Sequence, residues 1–292
     1  MGDLSTMEGV EDSPEAVSGG RRFLSVGAGR FVGMATLVTF HAHPDDEAIM
    51  TGGVMRKAAD EGHRVVLVVA TRGEKGEIPE GLLEDGEQLA DRRVKETQAA
   101  AEVLGVSRVE FLGYQDSGMM GDPSNDGPGT FWTAPVEEAA ERLAAILREE
   151  SADVLTVYDD FGVYGHPDHI QVHRVGMRAG ELAGTPRIYQ GSVNRDEVRR
   201  AAEAARAAGE EGGPDEDMII GKPAAELTAE VDVTAYAKVK RAAMRAHLSQ
   251  ISEESFFLAL PDEKFAQMFG TEWFIREGKG PGVTETDLMK GL

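Results

Sequence analysis

Ala35-Thr36-Leu37-Val38-Thr39-Phe40-His41-Ala42-His43-Pro44-Asp45-Asp46-Glu47 sets the reading of the whole chain. Ala35 to Phe40 is an apolar run that reads as a buried strand; His41 to Glu47 follows as a polar loop, and a helix over Val54 to Ala59 comes next. The alternation continues downstream. Val65 to Ala70 reads as a second buried strand, Leu89 to Leu104 as a long helix and Val109 to Leu112 as a short strand. Val136 to Leu147 is helical in pattern, Val154 to Tyr158 a strand, Pro167 to Leu182 a helix and Arg187 to Val193 extended. Strands alternating with helices of about ten to fifteen residues imply βαβ units. The expected fold is α/β, with a mostly parallel sheet covered by helices on both faces. Ligands of such sheets gather at the carboxyl ends of the strands.

Flanking regions differ in texture. Residues 1–33 are poor in apolar side chains and rich in Gly, Ser and Glu, so a disordered N-terminal extension is expected, with Met34 a second candidate start. Arg21-Arg22-Phe23-Leu24 has the outline of a twin-arginine export signal, but the apolar segment behind it is short and broken by Arg30. A cytoplasmic location is expected. With 34–193 as the catalytic core, residues 194–292 form a smaller C-terminal α+β unit that completes the domain. That unit carries an Ala- and Arg-rich helix, an acidic loop over 209–217, a strand near Ala229 to Val233, and helices over Tyr236 to Leu248 and Asp262 to Phe269.

Composition narrows the chemistry. Apolar residues make up 41% of the 292, enough for a sizeable core, yet no stretch approaches the roughly 18 uninterrupted apolar residues of a membrane-spanning helix. Acidic residues outnumber basic ones 52 to 30, and a net charge of -22 repels phosphate backbones and anionic lipid. Nucleic acid is therefore not an expected partner. The chain has no cysteine, which excludes a thiol nucleophile and a thiolate metal site, so any transition metal must be held by Asp, Glu or the seven histidines.

Two of the loops concentrate such ligands. In His41-Ala42-His43-Pro44-Asp45-Asp46-Glu47, two imidazoles and three carboxylates fall within seven residues. Adjacent carboxylates repel one another, so the cluster either gathers round a cation or is a solvated acidic helix start favoured by the helix dipole. His166-Pro167-Asp168-His169 again sets two histidines and a carboxylate at a strand-to-helix turn, with Pro167 suited to the first helical turn and His173 one turn beyond His169. For His173 and His63 the expected role is a satisfied, partly buried side chain. Two His/Asp loops at equivalent ends of a parallel sheet can meet in space. Two histidines, one carboxylate and an open position make a common hydrolytic zinc shell, and a neighbouring carboxylate can serve as general base.

Two further positions carry weaker signals. Arg93 falls inside the apolar stripe Ala90, Val94, Thr97, Ala101 and Leu104, where its guanidinium needs a partner, either Glu96 one turn along or a substrate group. Gly113 to Met119 is a turn built on Asp, Ser and Gly, whose Asp116 is also placed to bind a hydroxyl.

His43-Pro44-Asp45-Asp46-Glu47 joined to His166-Pro167-Asp168-His169 resembles the LmbE-like, or PIG-L, family of zinc-dependent de-N-acetylases. The resemblance extends through Gly73-Glu74-Lys75-Gly76-Glu77, Arg93-x-x-Glu96 followed by Leu104-Gly105-Val106, and Asp116-Ser117-Gly118. Lys240-Arg241 to Gln250 and Phe256-Phe257 resemble the mycothiol-related branch. The sequence departs from that branch at Ala48, where it usually carries Ser, and in the N-terminal extension.

The resemblance implies a Rossmann-like fold and one zinc ion per chain held by His43, Asp46 and His169. It implies Asp45 as general base, His166 as support for the oxyanion or the leaving amine, Tyr164 as an aid at the oxyanion, and Arg93 and Asp116 as sugar contacts. The function it implies is removal of an acetyl group from an N-acetylglucosamine-type conjugate, a small-molecule substrate. Two alternatives use the same fold: a mycothiol S-conjugate amidase and a non-catalytic sugar-binding protein.

Overall fold

The computed structural model describes residues 33–207 and 219–292; the expectations for 1–32 and for the acidic loop 209–217 fall outside them. In chain order the main elements are β1 (Thr36–His41), α1 (Asp46–Met50), α2 (Gly52–Asp60), β2 (Arg64–Thr71), α3 (Leu89–Leu104), β3 (Arg108–Tyr114), α4 (Val136–Glu149) and β4 (Val154–Tyr158). They continue with α5 (Gly162–Gly165), α6 (Pro167–Ala183), β5 (Arg187–Ser192), α7 (Arg195–Ala207), β6 (Ala229–Asp232), α8 (Ala237–Ala246), α9 (Asp262–Phe269) and β7 (Thr271–Arg276).

The strands form one sheet in the order β3-β2-β1-β4-β5-β7-β6, parallel from β3 to β5. Its central strands are apolar on consecutive residues because both faces are covered. Leu37, Val65 and Leu67 pack against Met55 of α2, Leu104 of α3 and Met244 of α8. On the other face, Val38, Phe40, Val66 and Val68 meet Leu143 of α4 and Val172 and Val175 of α6. This is the Rossmann-like α/β arrangement expected from the sequence.

The chain runs outward from β1 through β2 to β3, then returns to place β4 on the other side of β1, with Leu37 opposite Val154 and Thr39 opposite Thr156. Order therefore reverses between β1 and β4. In open parallel sheets the crevice at such a reversal, outside the carboxyl ends, is where ligands bind. The loops after β1 and after β4 are the two that carry the His/Asp clusters.

One strand escapes the sequence reading. β7 follows α9 and pairs antiparallel with both β5 and β6, so the carboxyl-terminal edge of the sheet is antiparallel. Its core-facing positions include Glu272, whose carboxylate is 3% exposed and accepts from the backbone N–H groups of Gly53 and Val54 at 2.8 Å each. Glu272 thus caps the start of α2, where helix geometry leaves N–H groups unpaired. Lys240 of α8, equally buried, donates to the same carboxylate at 2.6 Å. Losing either partner would strand the other's charge in the interior, at about 3–5 kcal/mol.

Candidate active site

β1 delivers its histidines in two directions. His41 is a strut: its Nδ1 lies 2.9 Å from the Tyr158 hydroxyl on β4 and its Nε2 2.8 Å from Thr51 Oγ1. His43 faces the crevice. Its backbone N–H donates to Asp46 Oδ2 at 2.9 Å, folding Asp46 back toward it. Between them Asp45 has φ of 102°, in the left-handed region that a residue with a Cβ avoids. Such a conformation costs of order 1–3 kcal/mol and persists where the surroundings over-determine it. Here Glu47 Oε2 accepts from the Asp45 N–H at 3.0 Å, and Arg93 donates to the Pro44 carbonyl and approaches Asp45 Oδ2 at 3.2 Å.

The loop after β4 is built on Asp159, which is fully buried. Asp159 Oδ1 accepts from the N–H groups of Phe161 and Val163 at 3.0 Å, and Oδ2 accepts from Ser192 Oγ at 2.6 Å. These bonds hold a tight turn in which Gly162 and Val163 have φ of 63° and 68°. A Cβ on Gly162 would lie 2.6 Å from the Cβ of His169, so glycine is required for the turn to pass α6 this closely. Tyr164 follows, 41% exposed. His166 caps α6, its Nδ1 accepting from the Asp168 N–H at 3.1 Å, and Pro167 occupies the first helical position. His169 then stacks on the Tyr158 ring with centroids 4.4 Å apart.

The two loops meet. Asp46 Oδ2 lies 3.5 Å from His43 Nδ1 and 3.4 Å from His169 Nε2, with all three side chains buried. Both ring nitrogens of His169 are buried without a hydrogen-bond partner. Burial pushes the His169 imidazole down to about 3 despite the opposing Asp46 charge, so it stays neutral with a lone pair to give. Burial would raise the Asp46 carboxyl, but His169 and His43 hold it well below the usual carboxylate range. A neutral imidazole without a partner, a second imidazole and an ionised carboxylate fit zinc, in a chain with no thiolate to offer. Ligand atoms of His43, His166 and His169 also lie within 4.8 Å of one another, so the site can hold a metal ion.

Beside this trio stands a second group of carboxylates. His43 Nε2 is 3.0 Å from Asp116 Oδ1 and 3.3 Å from Asp168 Oδ2. Asp116 Oδ2 accepts from the Lys75 N–H and Asp168 Oδ2 from the Ser117 N–H. Burial opposes charge on His43, but Asp116, Asp168 and Asp46 outweigh it and raise its pKa well above the ordinary value. These carboxylates favour positive charge at His43, which a divalent cation also supplies, and they fix the ring through the nitrogen turned away from Asp46.

Arg93 is 4% exposed, as its place in the apolar stripe requires, and within the protein its partner is not Glu96. It donates to the carbonyls of Gly73, at 2.8 Å, and Pro44, and it faces Asp45. Glu96 instead accepts from Ser249 N–H at 3.0 Å and Ser249 Oγ at 2.6 Å. Arg93 and Asp116, for which the resemblance implied sugar contacts, lie beside Asp45 and His43 respectively. Burial lifts the Asp45 carboxyl to about 6, with Arg93 pulling it down and Asp46 pushing it up. The His166 imidazole is lowered by burial and by His43, and the Tyr164 hydroxyl is raised by burial and by Asp46. As expected, His173 and His63 are satisfied elsewhere, by the Tyr158 carbonyl and the Ala35 N–H. Sequence reasoning gave no role to Asp159, Asp168 or His247. His247 Nε2 lies 2.6 Å from Glu47 Oε1; Asp168 sits in the second His/Asp loop and His247 in the Lys240 to Gln250 stretch, whereas no motif covers Asp159.

A family model described as GlcNAc-PI de-N-acetylase (PIG-L) matches residues 38–180, which span both loops. A 1D-myo-inositol 2-acetamido-2-deoxy-alpha-D-glucopyranoside deacetylase of Geodermatophilus obscurus is 40% identical over 286 residues, covering 88% of this chain and 97% of the relative. The chain belongs to the PIG-L family. A second relative of the same name, from Nocardiopsis dassonvillei, is 42% identical to this PIG-L chain over 279 residues, 86% of this chain and 99% of its own. Among solved structures, N,N'-diacetylchitobiose deacetylase from Pyrococcus horikoshii matches with a TM-score of 0.53 at 25% identity, covering 82% of this chain and 83% of that one. Among the described residues, no helix is long and apolar enough to cross a membrane.

Proposed function

We propose that this PIG-L chain is a zinc-dependent N-deacetylase that hydrolyses the acetamide of N-acetylglucosamine linked to inositol, releasing acetate and the free amine. The observation that carries the chemistry is Asp46 Oδ2 within 3.5 Å of both His43 Nδ1 and His169 Nε2, with Asp45 beside it and not among those contacts. The substrate is supported by the names and near-complete coverage of the relatives above.

His43, Asp46 and His169 would hold the zinc, which when bound would supply Lewis acidity toward the amide carbonyl and toward water. Asp45, lifted to about 6, accepts the proton of the attacking water near neutral pH, and Arg93 orients it. His166, whose Nδ1 is spent on the Asp168 N–H, presents Nε2 to the developing oxyanion and then to the leaving amine. Tyr164 adds a hydroxyl donor from the half-open rim. The bond broken is the amide C–N, the bond formed is C–O from water, and the proton that Asp45 took from the water leaves on the amine.

A panel on zinc-loaded enzyme tests the substrate: acetylglucosaminyl-inositol, diacetylchitobiose and a bimane conjugate of mycothiol, each scored by primary-amine release. The expected result is a clear preference for the inositol conjugate. Preference for the bimane conjugate would make the chain a conjugate amidase. Sugar binding with no amine release from any substrate would make it a non-catalytic binder.

A further inference from the structure

The mechanism above leaves the buried Glu47–His247 pair unused. Glu47 and His247 are both fully buried, and His247 Nε2 meets Glu47 Oε1 at 2.6 Å. The other Glu47 oxygen, Oε2, accepts from the backbone N–H of Asp45, the residue at φ of 102°. One carboxylate therefore joins a histidine from the C-terminal part of the chain to the backbone of the proposed base.

The segment around His247 touches the same neighbourhood twice more. Ser249 holds Glu96 on α3, the helix that also carries Arg93. Gln250 Nε2 donates to the Glu77 carbonyl at 2.9 Å, and its side chain lies over Gly76, where a Cβ would collide with it. Gly73, three residues earlier, supplies a carbonyl to Arg93. The segment 247–250 thus ties together α1, α3 and the loop after β2, the three pieces that surround Asp45.

We propose that His247 is a positioning residue for Asp45: bonded to Glu47, it keeps that carboxylate on the Asp45 N–H and so holds the base in its left-handed conformation, facing the ligand pair. Without His247, Glu47 is a buried carboxylate that has lost its partner, a state it relieves by leaving its place. The Asp45 backbone is then free to relax toward ordinary φ, and its carboxylate moves off the site. The inference rests on Asp45 acting as the base, so Asp45→Ala is measured beside it.

Parent, His247→Ala, His247→Gln, Asp45→Ala and the double variant Asp45→Ala/His247→Ala are assayed on acetylglucosaminyl-inositol, with kcat, KM, zinc content and thermal midpoint recorded for each. His247→Ala is expected to lower kcat by about 10–100-fold, as loss of a supporting hydrogen bond typically does, with KM and zinc content unchanged. His247→Gln, which keeps a donor toward Glu47, regains most of that loss. In the Asp45→Ala background, removing His247 costs nothing further. Parental kcat in His247→Ala, or an equal further loss in the double variant, would overturn the inference, as would a loss that follows zinc content. Parental turnover in Asp45→Ala alone overturns the base itself and is seen independently of His247. Should His247→Ala fail to fold, His247→Leu fills the volume without a donor and reads the same prediction.

Discussion

The loop after β1 buries nearly everything it carries, whereas the loop after β4 is anchored at its base and open at its tip. In the first, the His43 N–H is taken by Asp46, the Asp45 N–H by Glu47 and the Pro44 carbonyl by Arg93, and the three acidic side chains lie in the interior or close to it. In the second, Asp159 fixes the turn, but Phe161 and Tyr164 remain 38% and 41% exposed. Ionisable groups gain most from fixed partners where water is excluded, which suits a metal and a base. Groups that meet an incoming acyl oxygen and a departing amine need access. The contrast suits the first loop, with His43 and Asp46, to the proposed metal and base, and the second, which adds His169 to the proposed ligands, to oxyanion and leaving-group support through His166 and Tyr164.

Substitutions in the open loop probe that division, because they should change turnover and leave the metal in place. His166→Ala carries the larger expected effect: kcat on acetylglucosaminyl-inositol falls by about 10²-fold or more, a typical loss for a positioned acid or base, with zinc content unchanged. A loss of zinc in this variant would move His166 into the ligand set and erase the contrast. Tyr164→Phe should cost less. Removing a buried oxyanion donor costs about 10²–10³-fold in kcat, and about tenfold is expected for this half-exposed hydroxyl, read by primary-amine release from the same substrate. Parental kcat would leave the open loop with His166 alone as its acting group.

Much of this frame was legible in the chain, for physical reasons that differ by element. β1, β2 and β4 show as apolar runs because helices cover them twice, and α3 ends where Gly105 adopts φ of 76°. β7 was not legible because its buried face holds Glu272 and Phe274, while Trp273 and Ile275 sit on the half-exposed side, so its alternation has the wrong polarity. The chemistry of Glu272 is explained only by α2 and Lys240, far away in sequence. The two ligand loops could be found from spacing, since each packs its histidines and carboxylates locally. Helical periodicity proposes partners only along a helix, so it offered Glu96 to Arg93, whereas Asp45 lies 48 residues away. The Lys240 to Gln250 stretch was legible as a resemblance, but no local pattern pairs its His247 with Glu47, which lies 200 residues earlier.

Asp45 and Asp46 are neighbours in sequence, and the account gives them opposite duties, so the most direct measurement compares Asp45→Asn with Asp46→Asn, each scored for zinc per chain and for acetate release. The expected result is that Asp45→Asn keeps one zinc and loses turnover by about 10²–10⁴-fold, while Asp46→Asn loses the zinc itself. Zinc lost from Asp45→Asn and retained by Asp46→Asn would reverse the two roles and contradict the account.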